Sequence, residues 1–255
     1  MPQSLKALAI ASLLLLAGCA SGPALLDHEL TATQVELKNT PFFPQRQYQC
    51  GPAALATVLG AAGISVSPDA LTPHVYLPGR QGSLQAELVA TTRRYGRIPY
   101  VLQPRLQDLL TEVSAGTPVL VMQNLGLRML PQWHYAVVIG YDAPADSLIL
   151  RSGTDERLRM NRVRFQGAWA RADNWAMVAV LPAHPPPTAT SIAWLRSASD
   201  LDEVGKPELA MQAYTAATRR WHQDALSWQA LANAHYAQGN LTGAELALRR
   251  ALQLA

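Results

Sequence analysis

Charged residues and cysteines are scarce in this sequence. Only 15% of the 255 residues are charged, below the roughly 25% of an average soluble domain, which excludes a strongly charged disordered chain. Two cysteines are too few for a disulfide framework. The net charge of +3 comes from basic residues that form no run, so we expect no nucleic-acid partner. The sequence has neither a Cys/His cluster that would indicate a metal site nor a Walker-type phosphate loop. We therefore expect no metal and no cofactor.

The first twenty residues have the pattern of an export signal. Lys6 precedes an apolar run over 7–17, which is too short to span a bilayer core about 30 Å thick but suits a signal peptide. The run ends in Leu-Ala-Gly-Cys at 16–19, which resembles the processing motif of bacterial lipoproteins. The resemblance implies that residues 1–18 are removed and that the Cys19 thiol carries lipid. The alternative is an ordinary cleaved signal with an incidental cysteine.

The residue after Cys19 bears on the destination. It is Ala20 and not the Asp that resembles an inner-membrane retention signal. We therefore expect a protein of the bacterial cell envelope that is anchored in the membrane by its N-terminal lipid, in the outer membrane facing the periplasm. Cys50 is then a lone thiol in an oxidising compartment, where its retention needs a chemical reason.

The body of the chain divides into segments of different composition. Residues 19–40 are interpreted as a polar tether, 182–190 as a stiff Pro-rich linker and 191–255 as a helical tail. Between tether and linker, predicted helices come first and predicted strands follow. This order is typical of an α+β domain with an antiparallel sheet, over residues 41–181. The predicted helices are 51–64, 83–95, 105–115 and a short one near 165–171, and the predicted strands are 118–123, 134–141, 147–151, 157–162 and 175–181.

The tail contains an internal repeat with a period of 34 residues. It resembles the tetratricopeptide repeat, in which small residues let two helices approach closely, and the two copies are 191–224 and 225–255. A plain helical hairpin with chance spacing is the alternative. Since at least three repeats are usually needed for independent stability, we expect the tail to pack on the first domain, pair with another copy or bind a protein partner. The repeating pairs are Trp194/Trp228, Ala198/Ala232, Gly205/Gly239, Ala210/Ala244, Ala213/Ala247, Tyr214/Leu248 and Ala217/Ala251.

Cys50 stands where a buried helix is predicted to begin. Pro52 suits the first turn of a helix because its missing N–H has no partner there anyway. We expect the helix dipole to lower the pKa of the Cys50 thiol and to raise its reactivity. A general base is then required, and His134, which opens a strongly apolar predicted strand, is the candidate. His74 is interpreted as structural.

Two motifs carry a family resemblance. The segments Gln-x4-Cys-Gly-Pro-Ala-Ala-Leu at 45–55 and His-Tyr-Ala-Val-Val-Ile-Gly-Tyr at 134–141 resemble the papain-like cysteine peptidases, and within them family thirty-nine, the double-glycine or bacteriocin-leader peptidases. The resemblance implies a papain-like fold and a peptide or protein substrate. It also implies that Cys50 is the nucleophile, His134 the general base and acid, and Gln45 an oxyanion donor together with the Cys50 backbone N–H.

The sequence departs from the family pattern at two places. Gln45 lies five residues before the cysteine, where the family usually has six, and Gln47 and Gln49 are competitors. The family orients its histidine with an Asp after the next strand. Here Ser152 occupies that place and Asp155 comes three residues later. A hydroxyl orients an imidazole more weakly than a carboxylate does, so a slow peptidase and a non-catalytic relative both remain open.

The sequence as a whole predicts an extracytoplasmic, lipid-anchored cysteine peptidase that works through a Cys–His pair and a thioester. One alternative keeps the fold but makes it an acyl transferase or amidase. The other is a peptide-binding module whose repeats dock a partner. Trp133, next to the predicted base, is interpreted either as a wall of the substrate cleft or as core packing.

Overall fold

In the part of the chain that the structure describes, seven antiparallel strands form one sheet at the centre of the fold. The computed structural model describes residues 24–45 and 49–255, so the export signal and Cys19 lie outside the described residues. The strand order is β2-β7-β3-β4-β5-β6, and β1 pairs with the far end of β4. The strands are β1 (Gln34–Glu36), β2 (Ile98–Val101), β3 (Val119–Asn124), β4 (Trp133–Asp142), β5 (Ser147–Ser152), β6 (Asp155–Asn161) and β7 (Ala176–Val180).

Helices cover both faces of this sheet. One apolar core joins the sheet to α1 to α3, and a second core joins its opposite face to α4, α5 and the tail helices. The central strands are accordingly continuous runs of apolar residues, as expected for strands buried on both faces. The helices are α1 (Cys50–Ala61), α2 (Pro68–Val75), α3 (Gln85–Arg94), α4 (Leu106–Ser114), α5 (Arg162–Ala170), α6 (Ser191–Glu203), α7 (Pro207–Arg220), α8 (Ala225–Ala237) and α9 (Leu241–Leu254).

The predicted α+β class is confirmed, and the helices and strands expected from hydrophobic pattern are present within a few residues of their predicted ends. Among the described residues, no helix combines the length and the apolarity needed to cross a bilayer.

The prediction of a polar tether over 19–40 is wrong for its described part. Leu25 is fully buried, and its N–H donates to Asp146 Oδ1 at 3.0 Å. The polar side chains that suggested a solvated tether form cross-strand pairs, since Gln34 Nε2 donates to Asp142 at 3.1 Å and Arg157 binds Glu36 with two hydrogen bonds. A strand of three residues is too short to show an alternating pattern in the sequence.

The tail packs on the first domain, which is one of the three arrangements expected from the sequence. Helix α6 lies against the edge strand β2, and Trp194 of this helix is fully buried in the core that includes the sheet. An ion pair joins Arg93 to Asp200. The Pro-rich segment between the domains has no helix or strand but is fastened to α4, where Glu112 accepts hydrogen bonds from the Thr188 N–H at 2.9 Å and hydroxyl at 2.6 Å. The tail therefore covers an otherwise open sheet edge.

The two copies of the repeat are built alike at their turns. Gly205 and Gly239 both take a left-handed backbone, with φ of 76° and 74°, between the two helices of each copy. Their tryptophans differ, because Trp194 is buried and donates to the Ala213 carbonyl at 2.9 Å, whereas Trp228 is partly exposed. Both copies contribute to the common core, but only the tryptophan of the first copy is fully buried in it.

Candidate active site at the start of helix α1

Cys50 is the first residue of α1, and its thiol is partly buried. The helix is apolar on all sides and is buried from Gly51 to Leu59 between the sheet and α2 and α3. A helix that is apolar all round is buried in a core, so Cys50 lies directly before a fully buried segment.

Gly51 sits against Ser83, a residue that precedes α3. A Cβ at position 51 would overlap the side chain of Ser83, so only glycine allows this approach. The Ser83 hydroxyl is buried without a hydrogen-bond partner, and the Ser83 carbonyl accepts a hydrogen bond from the Tyr135 hydroxyl at 3.3 Å. These contacts fasten the start of α1 to the segment before α3. Sequence reasoning missed Ser83, and no signal in its neighbourhood indicated it.

The close contact between Gly51 and Ser83 predicts how a substitution at position 51 changes the stability of the protein. Gly51→Ala is expected to lower the free energy of unfolding by about 1–3 kcal/mol, because the added methyl group overpacks the site. Urea unfolding measures the change. Gly79→Ala is the matched control, since a Cβ there meets no atom within 4 Å. The double variant Gly51→Ala/Ser83→Gly is expected to recover most of the loss relative to Ser83→Gly alone. Additive losses would show that the contact is not the cause.

His134 lies near the start of β4, where its imidazole meets the end of the neighbouring strand β5. Its Nε2 lies 2.9 Å from the Ser152 hydroxyl oxygen, and Ser152 is buried. Asp155 is opposite Ser152 across the tight turn but is exposed, and its carboxylate makes no hydrogen bond to the ring. Of the two candidates for the orienting position, Ser152 is therefore the one that contacts His134.

Gln45 is fixed beside the same two strands. Its backbone N–H donates to the Gly153 carbonyl at 3.0 Å, and its side-chain Nε2 donates to the Tyr135 carbonyl at 3.3 Å. An amide nitrogen has two N–H donors, so one stays available for a ligand. Of the two competitors, Gln47 lies outside the described residues, and Gln49 precedes α1 without a side-chain capping bond.

Tyr135 is the residue that joins these groups, and sequence reasoning gave it no role. Its backbone N–H faces the Cys50 sulfur, its carbonyl holds Gln45, and its hydroxyl holds the segment before α3. Burial and, to a smaller extent, the charge of a Cys50 thiolate raise the pKa of the Tyr135 hydroxyl. Because Tyr135 directly follows His134, the predicted nucleophile, base and oxyanion donor all lie around one short stretch of β4.

The family described as "Peptidase_C39 like family" matches residues 37–177, more than half of the chain. The chain belongs to this family. A comparison with curated proteins gave no significant match.

This C39-like protein is similar to several solved structures. One is a putative C39-like peptidase from Bacillus anthracis, with 21% identity, a TM-score of 0.49, and 58% of this chain and 97% of that chain covered. Another is the peptidase domain of Streptococcus ComA, a bi-functional ABC transporter involved in a quorum-sensing pathway, with 24% identity, a TM-score of 0.45, and 56% and 98% covered. A third is a double glycine motif protease from an AMS/PCAT transporter in complex with the leader peptide, with 15% identity, a TM-score of 0.43, and 59% and 95% covered.

The electrostatics of the C39-like site differ from the sequence prediction. Burial raises the pKa of the Cys50 thiol, and the backbone N–H groups of Tyr135, Gly51 and Cys50 itself offset only part of this effect. The expectation that the helix dipole would lower this pKa is therefore wrong in direction, because desolvation of the thiolate outweighs the N–H groups at the helix start. Burial also lowers the pKa of His134. Without substrate, both side chains are uncharged near neutral pH.

These two pKa directions predict how the thiol reacts. The rate of Cys50 alkylation by iodoacetamide is expected to keep rising with pH past about 8.5, the ordinary thiol value, and to level off only above it, because the thiolate is the reactive form and burial raises the pKa of this thiol. Mass spectrometry of the Cys50 peptide measures the rate between about pH 5 and about pH 11, and the same protein in urea gives the ordinary thiol as control. A plateau already reached near pH 6 would instead indicate a preformed thiolate–imidazolium pair.

The remaining predicted residues lie as follows. His74 is exposed at the end of α2, with Nδ1 3.2 Å from Arg94 Nη1. Trp133 is 53% exposed beside His134, so it is not packed in the core. Within residues 24–45 and 49–255, no group of three or more His, Cys, Asp or Glu has the arrangement of a metal site.

Proposed function

We propose that this protein is a cysteine peptidase of the cell envelope that hydrolyses peptide bonds through Cys50 and His134. In one tautomer, His134 Nε2–H donates to Ser152 Oγ and leaves Nδ1 unprotonated for the thiol. Nδ1 accepts the thiol proton as the sulfur attacks the peptide carbonyl, and returns it to the leaving amine. A thioester forms, and water assisted by His134 then releases the acid.

The oxyanion of this reaction has two candidate donors. The backbone N–H of Cys50 is unpaired within its helix because it lies at the helix start, and Gln45 Nε2 keeps one free N–H beside Tyr135. Ser152 acts on the reaction through His134, so it is a positioning residue. The proposal rests on one arrangement. Ser152 contacts His134, and the backbone N–H of the next residue, Tyr135, faces the Cys50 sulfur.

The test is a cleavage assay with the full-length protein and a pool of synthetic decapeptides. Hydrolysis produces new carboxyl termini that gain one ¹⁸O atom from labelled water, and Cys50→Ala is expected to abolish them. Products that carry an added amine in place of oxygen would indicate acyl transfer. If the wild-type protein reacts with iodoacetamide but converts no peptide, the proposed hydrolysis is wrong.

A second function, peptide binding without turnover, is favoured by two observations. Burial keeps the Cys50 thiol protonated, and the orienting group is a hydroxyl, so nucleophile and base are both less activated than in a charged pair. In the same assay, a binding module would retain peptides on the wild-type protein and on Cys50→Ala equally, with no new termini in either sample.

The N-terminal anchor is a further part of the proposed function. The motif ending in Cys19 supports lipidation and an outer-membrane location facing the periplasm. Cys19→Ser is expected to move the protein from the membrane fraction to the soluble fraction and to prevent labelling with radioactive palmitate. Unchanged membrane association in this variant would contradict the anchor.

The tail is proposed to dock a protein partner through its tetratricopeptide-like helices. Between α6 and α8 lies an open groove of about 240 Å³, lined by apolar residues that include Ile192, Leu195 and Leu226. In-cell photocrosslinking from position 226 tests for a partner, with exposed position 203 on the same unit as the control.

A further inference from the structure

The loop between β3 and β4, residues 125–132, together with Trp133, the first residue of β4, exposes an unusual amount of apolar surface. We call it the apolar loop. Met129 is 91% exposed and Leu130 is 74% exposed, and the other exposed apolar side chains of the loop are Leu125, Leu127 and Trp133. Single exposed apolar residues are common on soluble proteins, but a contiguous set of them marks an interaction surface.

The apolar loop has a defined conformation. Asn124 Oδ1 accepts hydrogen bonds from the N–H groups of Gly126 at 3.0 Å and Gln132 at 2.9 Å, and the Leu125 N–H donates to the Gln132 carbonyl at 2.9 Å. Arg171 binds the Asn124 carbonyl through two N–H groups, at 3.1 and 2.9 Å. The polar groups of the loop thus hold the apolar side chains outward. A surface fixed in advance loses little conformational entropy when a ligand binds.

The apolar loop adjoins the candidate active site. Its last residue, Trp133, directly precedes His134. On the helical side of the site, Leu84 is 40% exposed and directly follows Ser83, which contacts Gly51 next to the nucleophile. Exposed apolar side chains therefore adjoin both elements that carry the reacting groups.

From this arrangement we propose that the apolar loop binds the substrate, by contacting large aliphatic or aromatic side chains of the peptide segment beside the scissile bond. The proposal rests on the proposed function, since it names the substrate class of that site. A peptide fits better than a bilayer, because Arg128 is the one charged residue of the loop, whereas segments that bind membrane surfaces carry clusters of Lys and Arg.

The experiment measures peptide selection by the full-length Cys50→Ala protein, which binds without cleaving. The protein captures peptides from a random decapeptide pool, and sequencing gives the enrichment of Leu, Met and Phe over Ser and Gly. Leu127→Ser/Leu130→Ser in this background is expected to reduce the enrichment at least about tenfold, because two buried leucine contacts are lost. Leu246→Ser/Leu252→Ser on α9 is the matched control, since these leucines are similarly exposed and distant in the chain, and it is expected to keep the enrichment.

Each other outcome has a definite meaning. If the loop variant selects the same peptides as its parent, or if the parent selects none, the proposal is wrong. Loss of binding to phosphatidylglycerol vesicles without a change in peptide selection assigns the loop to a membrane, and loss of a dimer in sedimentation assigns it to a second copy. If the enrichment of apolar peptides depends on the apolar loop but the wild-type protein cleaves no peptide, the proposed role of the loop is supported and the proposed peptidase function is wrong.

Discussion

Replacing His134 by alanine is expected to lower kcat/KM for peptide hydrolysis by about 10²- to 10⁴-fold, the usual contribution of a general acid–base group. The loss is expected to be large because burial keeps the Cys50 thiol protonated, so attack requires a base. Steady-state kinetics on a peptide from the cleavage assay measures the change. His74→Ala is the control, because this exposed histidine contacts Arg94 outside the site, and it is expected to retain the wild-type rate.

The same assay separates the base from the residue that positions it. Ser152→Ala is expected to lower kcat/KM less than His134→Ala does, because the imidazole remains but loses the partner of its Nε2. In the double variant, Ser152→Ala is expected to add nothing further, since it acts only through His134. If Ser152→Ala lowers kcat/KM by the same factor in the His134→Ala protein as in the wild-type protein, Ser152 has a separate role.

Replacing Trp194 by alanine is expected to lower the free energy of unfolding by about 3–5 kcal/mol, the usual cost of removing a fully buried tryptophan. Urea unfolding followed by circular dichroism measures it. Trp228→Ala, at the equivalent position of the second repeat, is expected to cost less because that side chain is partly exposed. The repeat thus provides its own matched control.

This substitution also tests whether the tail and the sheet fold as one unit. Since Trp194 belongs to the core that contains the sheet, alkylation of Cys50 and loss of helical signal are expected to occur at the same urea concentration. If the tail unfolds first while Cys50 stays protected, the shared core does not couple the two parts.

Local pattern predicted those parts of the fold that have a strong pattern of their own. Strand β4 was predicted as 134–141 and spans Trp133–Asp142, because its apolar run is long. Strand β2 was missed because Pro99 interrupts the sequence signal. Pro99 is tolerated within the strand because β2 is an edge strand that pairs with β7 alone. Helix α2 was missed for a similar reason, since it contains Pro73.

The candidate site was predictable where short motifs carry it and unpredictable where distant contacts do. Cys50 begins α1 and His134 is the second residue of β4, and composition marks the start of both elements. Ser83 and Tyr135 take their place in the site from contacts between segments far apart in the chain. The pKa of Cys50 was predicted in the wrong direction for the same reason: the helix start is visible in the sequence, but the extent of burial is not.

Strand β4 also determines how far the site lies from the N-terminal attachment. The described chain begins beside the turn that follows Asp142, where Leu25 binds Asp146, whereas His134 lies at the other end of the same strand, about 30 Å away. Cys19 and Ala24 are five positions apart in the chain, a span of at most about 18 Å. If Cys19 is lipidated as proposed, the anchored end of the chain lies near one end of β4 and His134 lies near the other. Under this proposal, we expect substrates to reach the site by three-dimensional diffusion through the compartment and not by lateral diffusion in the lipid.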